Sequence, residues 1–183
     1  LFAMKAIKDA GITPKKTIKL IAGLDEETGK ESAIHYREVA KMPDFGITPD
    51  ADFPVINGEK GILIFDIAQK LKKPTAKEGL MLSKVQGGLA ANAVPAYARA
   101  VIASDERARY DDIIELAKSY SKESGYDVTA KKTGTSLAVE AHGVAAHGSV
   151  PEKGLNAISI LMEFLGKLDL SGDEVTEFID FYN

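Results

Sequence analysis

Tyr126 to Leu168, YDVTAKKTGTSLAVEAHGVAAHGSVPEKGLNAISILMEFLGKL, decides the fold. Tyr126–Lys132 and Ser136–His142 have strand length and composition, and Thr133-Gly134 between them is a plausible hairpin turn. A helix then opens at Pro151 or Gly154 and runs through Leu168, with Leu155, Ile158, Leu161, Met162 and Leu165 spaced for one buried face. Working outward, Asp105 to Ser124 reads as a long helix with Ile113, Ile114, Leu116 and Ala117 on its apolar side and Gly125 as its stop. Three further strand candidates precede it, Gly61–Lys70, Leu80–Gln86 and Tyr97–Ala103. Antiparallel strands covered by two helices predict an α+β sandwich of ferredoxin-like type for residues 57–183.

The stretch before it has a different rhythm. Leu1 to Ala10 is apolar at Leu1, Met4 and Ile7, an amphipathic helix ended at Gly11, and Thr17–Leu24 is a β-branched apolar run of strand length. After the acidic turn Asp25 to Gly29, Glu31–Ala40 reads as a short helix and Phe45–Thr48 as a short strand closed by Pro49. Residues 1–56 are therefore expected to be α/β with a parallel sheet, and the break at Phe53-Pro54-Val55-Ile56-Asn57-Gly58 to be the boundary. No capping residue precedes the first helix, and Glu174–Tyr182 stops within a periodic segment, so the chain reads as an internal fragment of a longer protein.

Composition narrows the chemistry. The 183 residues carry a net charge of -4, with 45% apolar and 27% charged residues, and present no basic stripe for nucleic acid. There is no cysteine, so a metal would be held by oxygen and imidazole; this agrees with a reducing cytoplasm, the expected location. No apolar run approaches the roughly 20 residues of a membrane span, so no membrane partner is expected.

Glu26-Glu27 follows an apolar strand candidate, where charge is costly unless neutralised. In metal-assisted hydrolysis one carboxylate can ligate the cation while its neighbour takes a proton from water, and the turn at Thr28-Gly29 could let adjacent side chains do both. A solvated acidic turn is the plainer alternative for this run taken alone. Asp50, in Thr48-Pro49-Asp50-Ala51-Asp52-Phe53-Pro54, would sit at the mouth of the second strand, where open parallel sheets bind ligands; turn-forming aspartates are the alternative for Asp50 and Asp52.

The runs Asp25-Glu26-Glu27-Thr28-Gly29 and Pro43 to Gly61 (PDFGITPDADFPVINGEKG), then Gly88-Leu89, Asn92-Ala93-Val94-Pro95 and Gly143 to Ala157 (GVAAHGSVPEKGLNA), occur in one order. In these the chain resembles the PepV-type dipeptidases of bacteria, within the dinuclear zinc family of aminoacylases, carnosinases and succinyl-diaminopimelate desuccinylases. The resemblance implies a catalytic-domain part (1–56) followed by a lid (57–183), and hydrolysis of dipeptides through a metal-bridged hydroxide. It implies that Glu26 is the general base, that Glu27 and Asp50 each ligate one of two zinc ions, with manganese or cobalt as alternatives, and that His147 reaches from the lid to the substrate carbonyl. An imidazole N–H aimed at a developing oxyanion is chemically suited to that last role. Before the resemblance is considered, His147 is an ordinary loop histidine, His142 structural and His35 solvated.

Family features missing from the chain include an H-x-D motif and a bridging Asp, expected upstream, and a last His ligand and a substrate-binding Arg, expected downstream. Alanines stand near Gly88–Asn92 where many relatives carry an Arg. A related deacylase or desuccinylase, or a non-catalytic lid and assembly module, are the alternative readings. The parent protein is expected to be a monomer, with a homodimer as the alternative.

Overall fold

A computed structural model describes residues 1–26, 29–50, 56–70 and 78–183, and the chain divides into two compact units, Leu1–Ile56 and Asn57–Asn183.

The second unit is built on a four-stranded antiparallel sheet. Its strands are β1 (Leu80–Gly87), β3 (Tyr97–Ser104), β4 (Asp127–Thr133) and β5 (Ser136–His142), in the spatial order β1-β3-β5-β4. A separate ribbon pairs two-residue strands, β2 (Ala93–Val94) with β6 (Ala146–His147). The hairpin β4–β5 turns at Gly134, whose φ of 58° is the positive value that glycine reaches without a Cβ penalty. Because β5 is antiparallel to both β3 and β4, those two run parallel, with β5 inserted between them and helix α3 (Arg109–Ser124) making the crossover. This is a split β-α-β unit.

Alternation in the strands sets which face is covered. Ala98, Ala100 and Ile102 of β3 and Leu137, Val139 and Ala141 of β5 are wholly buried on one face. On that face α3 contributes Tyr110, Ile113, Ala117 and Tyr120, a stripe at helical spacing. Helix α4 (Ala157–Leu165) has six buried residues, Ala157, Ile160, Leu161, Met162, Phe164 and Leu165, since α5 (Asp173–Tyr182) covers it with Ile179. The Tyr110 hydroxyl donates to Thr135 O at 3.2 Å and ties α3 to the hairpin loop, and α3 ends in the left-handed cap at Gly125.

Several sequence expectations differ from the structure. The helix expected from Asp105 begins at Arg109, because the Asp105 carboxylate instead accepts the N–H groups of Gly79 and Glu106. The helix expected from Pro151 or Gly154 through Leu168 is a 3₁₀ turn at Pro151–Lys153, a break at Gly154, and α4 over Ala157–Leu165 only. Gly61–Lys70 is not a strand; Ile62, Leu63, Ile64, Phe65 and Ile67 are exposed.

In the first unit the described residues form two helices, α1 (Phe2–Asp9) and α2 (Glu31–Val39), neither with a buried residue. Thr17–Leu24 and Phe45–Thr48 make no strand, and the parallel sheet expected there is not formed among the described residues. A strand needs a neighbour to take its N–H and C=O groups, and β-branched composition cannot supply one.

Candidate active site

The Gly143–Ala157 loop, singled out by its motif, acquires a physical reading residue by residue. Gly143 N–H donates to Ala96 O at 2.9 Å, and a Cβ on Gly143 would stand 2.0 Å from Leu155 O, so no side chain fits. Val144 and Leu155 form an antiparallel bridge that folds the loop back on itself. Gly154 is pressed against Ala146, Val144 and Val94, where its Cβ would lie 2.9 Å from each. Asn156 caps α4, its side-chain oxygen accepting Ile158 N–H at 2.9 Å and Ser159 N–H at 3.3 Å. Ala157 N–H donates to Pro95 O at 2.8 Å and the residue is fully buried, which leaves no room for a larger side chain.

These contacts hold His147 in place. Its backbone pairs with Ala93, and Gly148 N–H donates to Asn92 O at 2.6 Å, so the Asn92–Pro95 segment and the histidine loop are one assembly. A Cβ on Gly148 would meet the Asn92 carbonyl oxygen at 2.9 Å, which is why glycine follows the histidine. Val150 N–H closes a turn on His147 O at 3.0 Å. The imidazole is exposed, with Nδ1 2.8 Å from Ser149 Oγ and 3.2 Å from Ser149 N. An exposed ring on a loop stitched by backbone hydrogen bonds can present an N–H to a bound carbonyl without reorganising.

The sheet face opposite the helices carries a charge cluster. Glu140 pairs with Arg99 (3.6 Å) and Lys131 (3.3 Å) and is largely screened from water. Burial pushes its carboxyl up, but the Lys131 hydrogen bond, the Tyr97 hydroxyl and the charges of Lys131 and Arg99 outweigh this and hold it below the usual carboxylate range. Burial first, then the neighbouring Glu140, raises the Tyr97 phenol. His142 lies at the end of β5 with its ring 5.3 Å from that of Tyr97, and its location is that of a sheet residue. His35 is exposed on α2.

In the first unit, Asp25 accepts Ser32 N–H at 3.1 Å and Gly29 N–H donates to Asp25 O at 2.7 Å. The Ser32 hydroxyl bond holds the Asp25 carboxyl below the usual range. Asp25 thus anchors the acidic turn to the start of α2. Glu26 is exposed in that turn and Asp50 is exposed farther along, while Glu27 and Asp52 lie outside the described residues. Among the described residues, no three or more His, Asp or Glu side chains gather closely enough to hold a metal ion. Glu26 and Asp50 are therefore not part of a metal centre formed by the described residues alone. Among those residues, too, no helix is long and apolar enough to cross a membrane.

Sequence reasoning missed Ser149. Its signal was a hydroxyl residue two positions after a loop histidine, a spacing at which Ser side chains bond their local neighbours.

Comparison with known proteins places these features in context. Residues 129–181 match the peptidase dimerisation domain, M20_dimer. Over 169 residues, 92% of this chain and 36% of the relative, the chain is 32% identical to Bacillus subtilis "Putative dipeptidase YtjP". It is 32% identical over 181 residues to a "Putative dipeptidase" of Staphylococcus epidermidis, covering 98% of this chain and 38% of that one. A Staphylococcus saprophyticus protein, "Putative dipeptidase SSP1012", is 34% identical over 170 residues, 92% of this chain and 36% of its own length. The chain spans little more than a third of the length of these relatives.

Proposed function

We propose, for this chain, which belongs to the M20 peptidase family, that it supplies part of the active site of a zinc-dependent dipeptidase working in the cytoplasm. The observation that carries this reading is similarity across nearly the whole chain to bacterial proteins named as dipeptidases. In it, residues 1–56 belong to a catalytic domain and 57–183 to a ferredoxin-like lid.

The roles follow from the side-chain chemistry. Glu26 accepts a proton from the attacking water and returns it to the leaving amine, which requires an ionised carboxylate that reaches solvent. Glu27 and Asp50 are oxygen donors of the kind zinc, manganese or cobalt accept. Two donors fall short of the three or four protein ligands of a zinc site, so the chain does not form the centre by itself. His147 donates an imidazole N–H to the substrate carbonyl as it becomes an oxyanion.

The test uses the full-length protein that contains this chain, with dipeptides set against N-acetyl and N-succinyl amino acids. Preferential dipeptide hydrolysis supports the reading, and preference for the acylated amino acids replaces it with a deacylase or desuccinylase. Glu26→Gln should lower turnover by roughly 10²–10⁴-fold while bound metal is retained. Undiminished turnover would remove Glu26 as base. The match of residues 129–181 to a dimerisation domain favours a second reading for assembly, a homodimer in place of the monomer we prefer. Sedimentation of the full-length protein over a range of concentrations separates the two.

A further inference from the structure

We propose that Leu89 is a specificity-determining residue that meets an apolar side chain of the substrate beside His147. The inference rests on the reading of His147 as the donor to the substrate carbonyl, and it adds a class of substrate, dipeptides that carry an aliphatic side chain.

The loop that bears Leu89 is tied at both ends. Strand β1 ends at Gly87, where a Cβ would stand 2.6 Å from Ile158 Cγ1 and 3.0 Å from Ala98 Cβ, so only glycine lets the chain lie against α4 and β3. Gly88 turns it at a φ of 78°, and its N–H donates to Tyr97 O at 3.4 Å. Beyond the tip the chain is caught again: Ala93 N–H donates to Ala90 O at 3.3 Å, Asn92 O accepts Gly148 N–H, and Ala93 pairs with His147. Leu89, Ala90 and Ala91 form the tip between these ties, and all three are exposed. The backbone therefore holds the tip to the same assembly as the histidine.

The tip is apolar where a solvated turn would be polar. No residue from Gly87 to Ala91 has a polar side chain, whereas tight turns ordinarily favour Asn, Asp or Ser. Leu89 is 106% exposed, more than any other large apolar side chain between Leu80 and Asn183. Exposure at that level leaves it no packing role in the fold. Val144 and Leu155, bridged to each other on the histidine loop, are exposed as well. A substrate whose carbonyl is held by His147 thus meets aliphatic, uncharged neighbours. An aliphatic side chain against Leu89 removes apolar surface from water on both partners, while a charged one would lose hydration and gain no counter-charge from the tip.

The experiment compares kcat/KM of the full-length protein for Leu-Gly, Gly-Leu and Gly-Gly, as wild type, Leu89→Ala and Leu89→Met. The wild type should prefer one of the leucyl dipeptides to Gly-Gly. Leu89→Ala should lower that preference about tenfold, and Leu89→Met should keep most of it. A ratio of two substrates cancels any change in the amount of active enzyme, so a folding defect cannot imitate the result. A preference in Leu89→Ala equal to that of the wild type, or a wild type that takes Gly-Gly as well as either leucyl dipeptide, would overturn the proposal. Failure of the underlying reading shows elsewhere: full turnover in His147→Gln removes the histidine as donor, while the Leu89→Ala ratio alone decides on Leu89. If N-acetyl amino acids prove the better substrates, the dipeptidase reading fails, and N-acetyl-leucine set against N-acetylglycine still decides on Leu89.

Discussion

The two units of this chain are opposites in how they use apolar residues. Every wholly buried side chain among the described residues lies between Leu80 and Ile179, where strand alternation and helical stripes converge on one core. In Leu1–Ile56 helix α1 is amphipathic and the apolar runs are present, yet Leu20 is 57% exposed and Leu24 is 98% exposed. Apolar patterning prepares a surface for burial, but burial itself needs a second surface opposite it. The division also separates two kinds of chemistry. Glu26 and Asp50 stand on the unit in which none of the described residues is buried, whereas His147 stands on a loop anchored to a core.

Truncating the core is the strongest way to break this contrast. Phe164→Ala should cost about 3–5 kcal/mol, since the ring is fully buried and packs against the Tyr120 ring of α3, while Leu24→Ala should stay within about 0.5 kcal/mol. Urea unfolding of both variants checks this, and equal losses would mean that the first unit has a core of its own.

A smaller effect isolates how the histidine loop is joined to the core. Asn156→Ala should cost about 1 kcal/mol by removing the cap of α4. If hydrogen exchange then quickens in Gly143–Ala157 as well as in the first turn of α4, the loop and helix open together.

The smallest expected effect concerns the sheet face opposite the helices. The Glu140 carboxyl is held below its unfolded value, so its contribution is present above the unfolded pKa and fades as the pH falls through the folded one. Glu140→Gln should therefore be destabilising by roughly 1 kcal/mol at pH 7, with the gap to the wild type narrowing on acidification below about pH 4. A gap that persisted at low pH would assign the loss to packing.

How legible all this was in the chain differs by element. Ser136–His142 emerges as the strand read from its length and composition, and Gly125 stops α3 as its position suggested. The glycines of the Gly143–Ala157 motif were visible as a pattern, but the reason for them was not. Gly143 and Gly148 are required by carbonyl groups of Leu155 and Asn92, residues 12 and 56 positions away. The ribbon β2–β6 is two residues long on each side and has no period to detect.

Thr17–Leu24 failed in the opposite direction, because its composition argued for a strand and no neighbour provides a ladder among the described residues. The carboxylates Glu26, Glu27 and Asp50 came from motif order, and no metal cluster forms among the described residues.

Sequence alone determined the periodicities, the stop of α3 at Gly125 and the identity of the residues able to accept a proton, ligate a cation or donate to an oxyanion, since these are properties of the local chain. Only the tertiary structure decided which apolar runs are buried, which glycines are obligatory and which nitrogen of His147 meets Ser149. Those depend on atoms brought together across long separations, where a hydrogen bond or a clash is settled within a few tenths of an ångström.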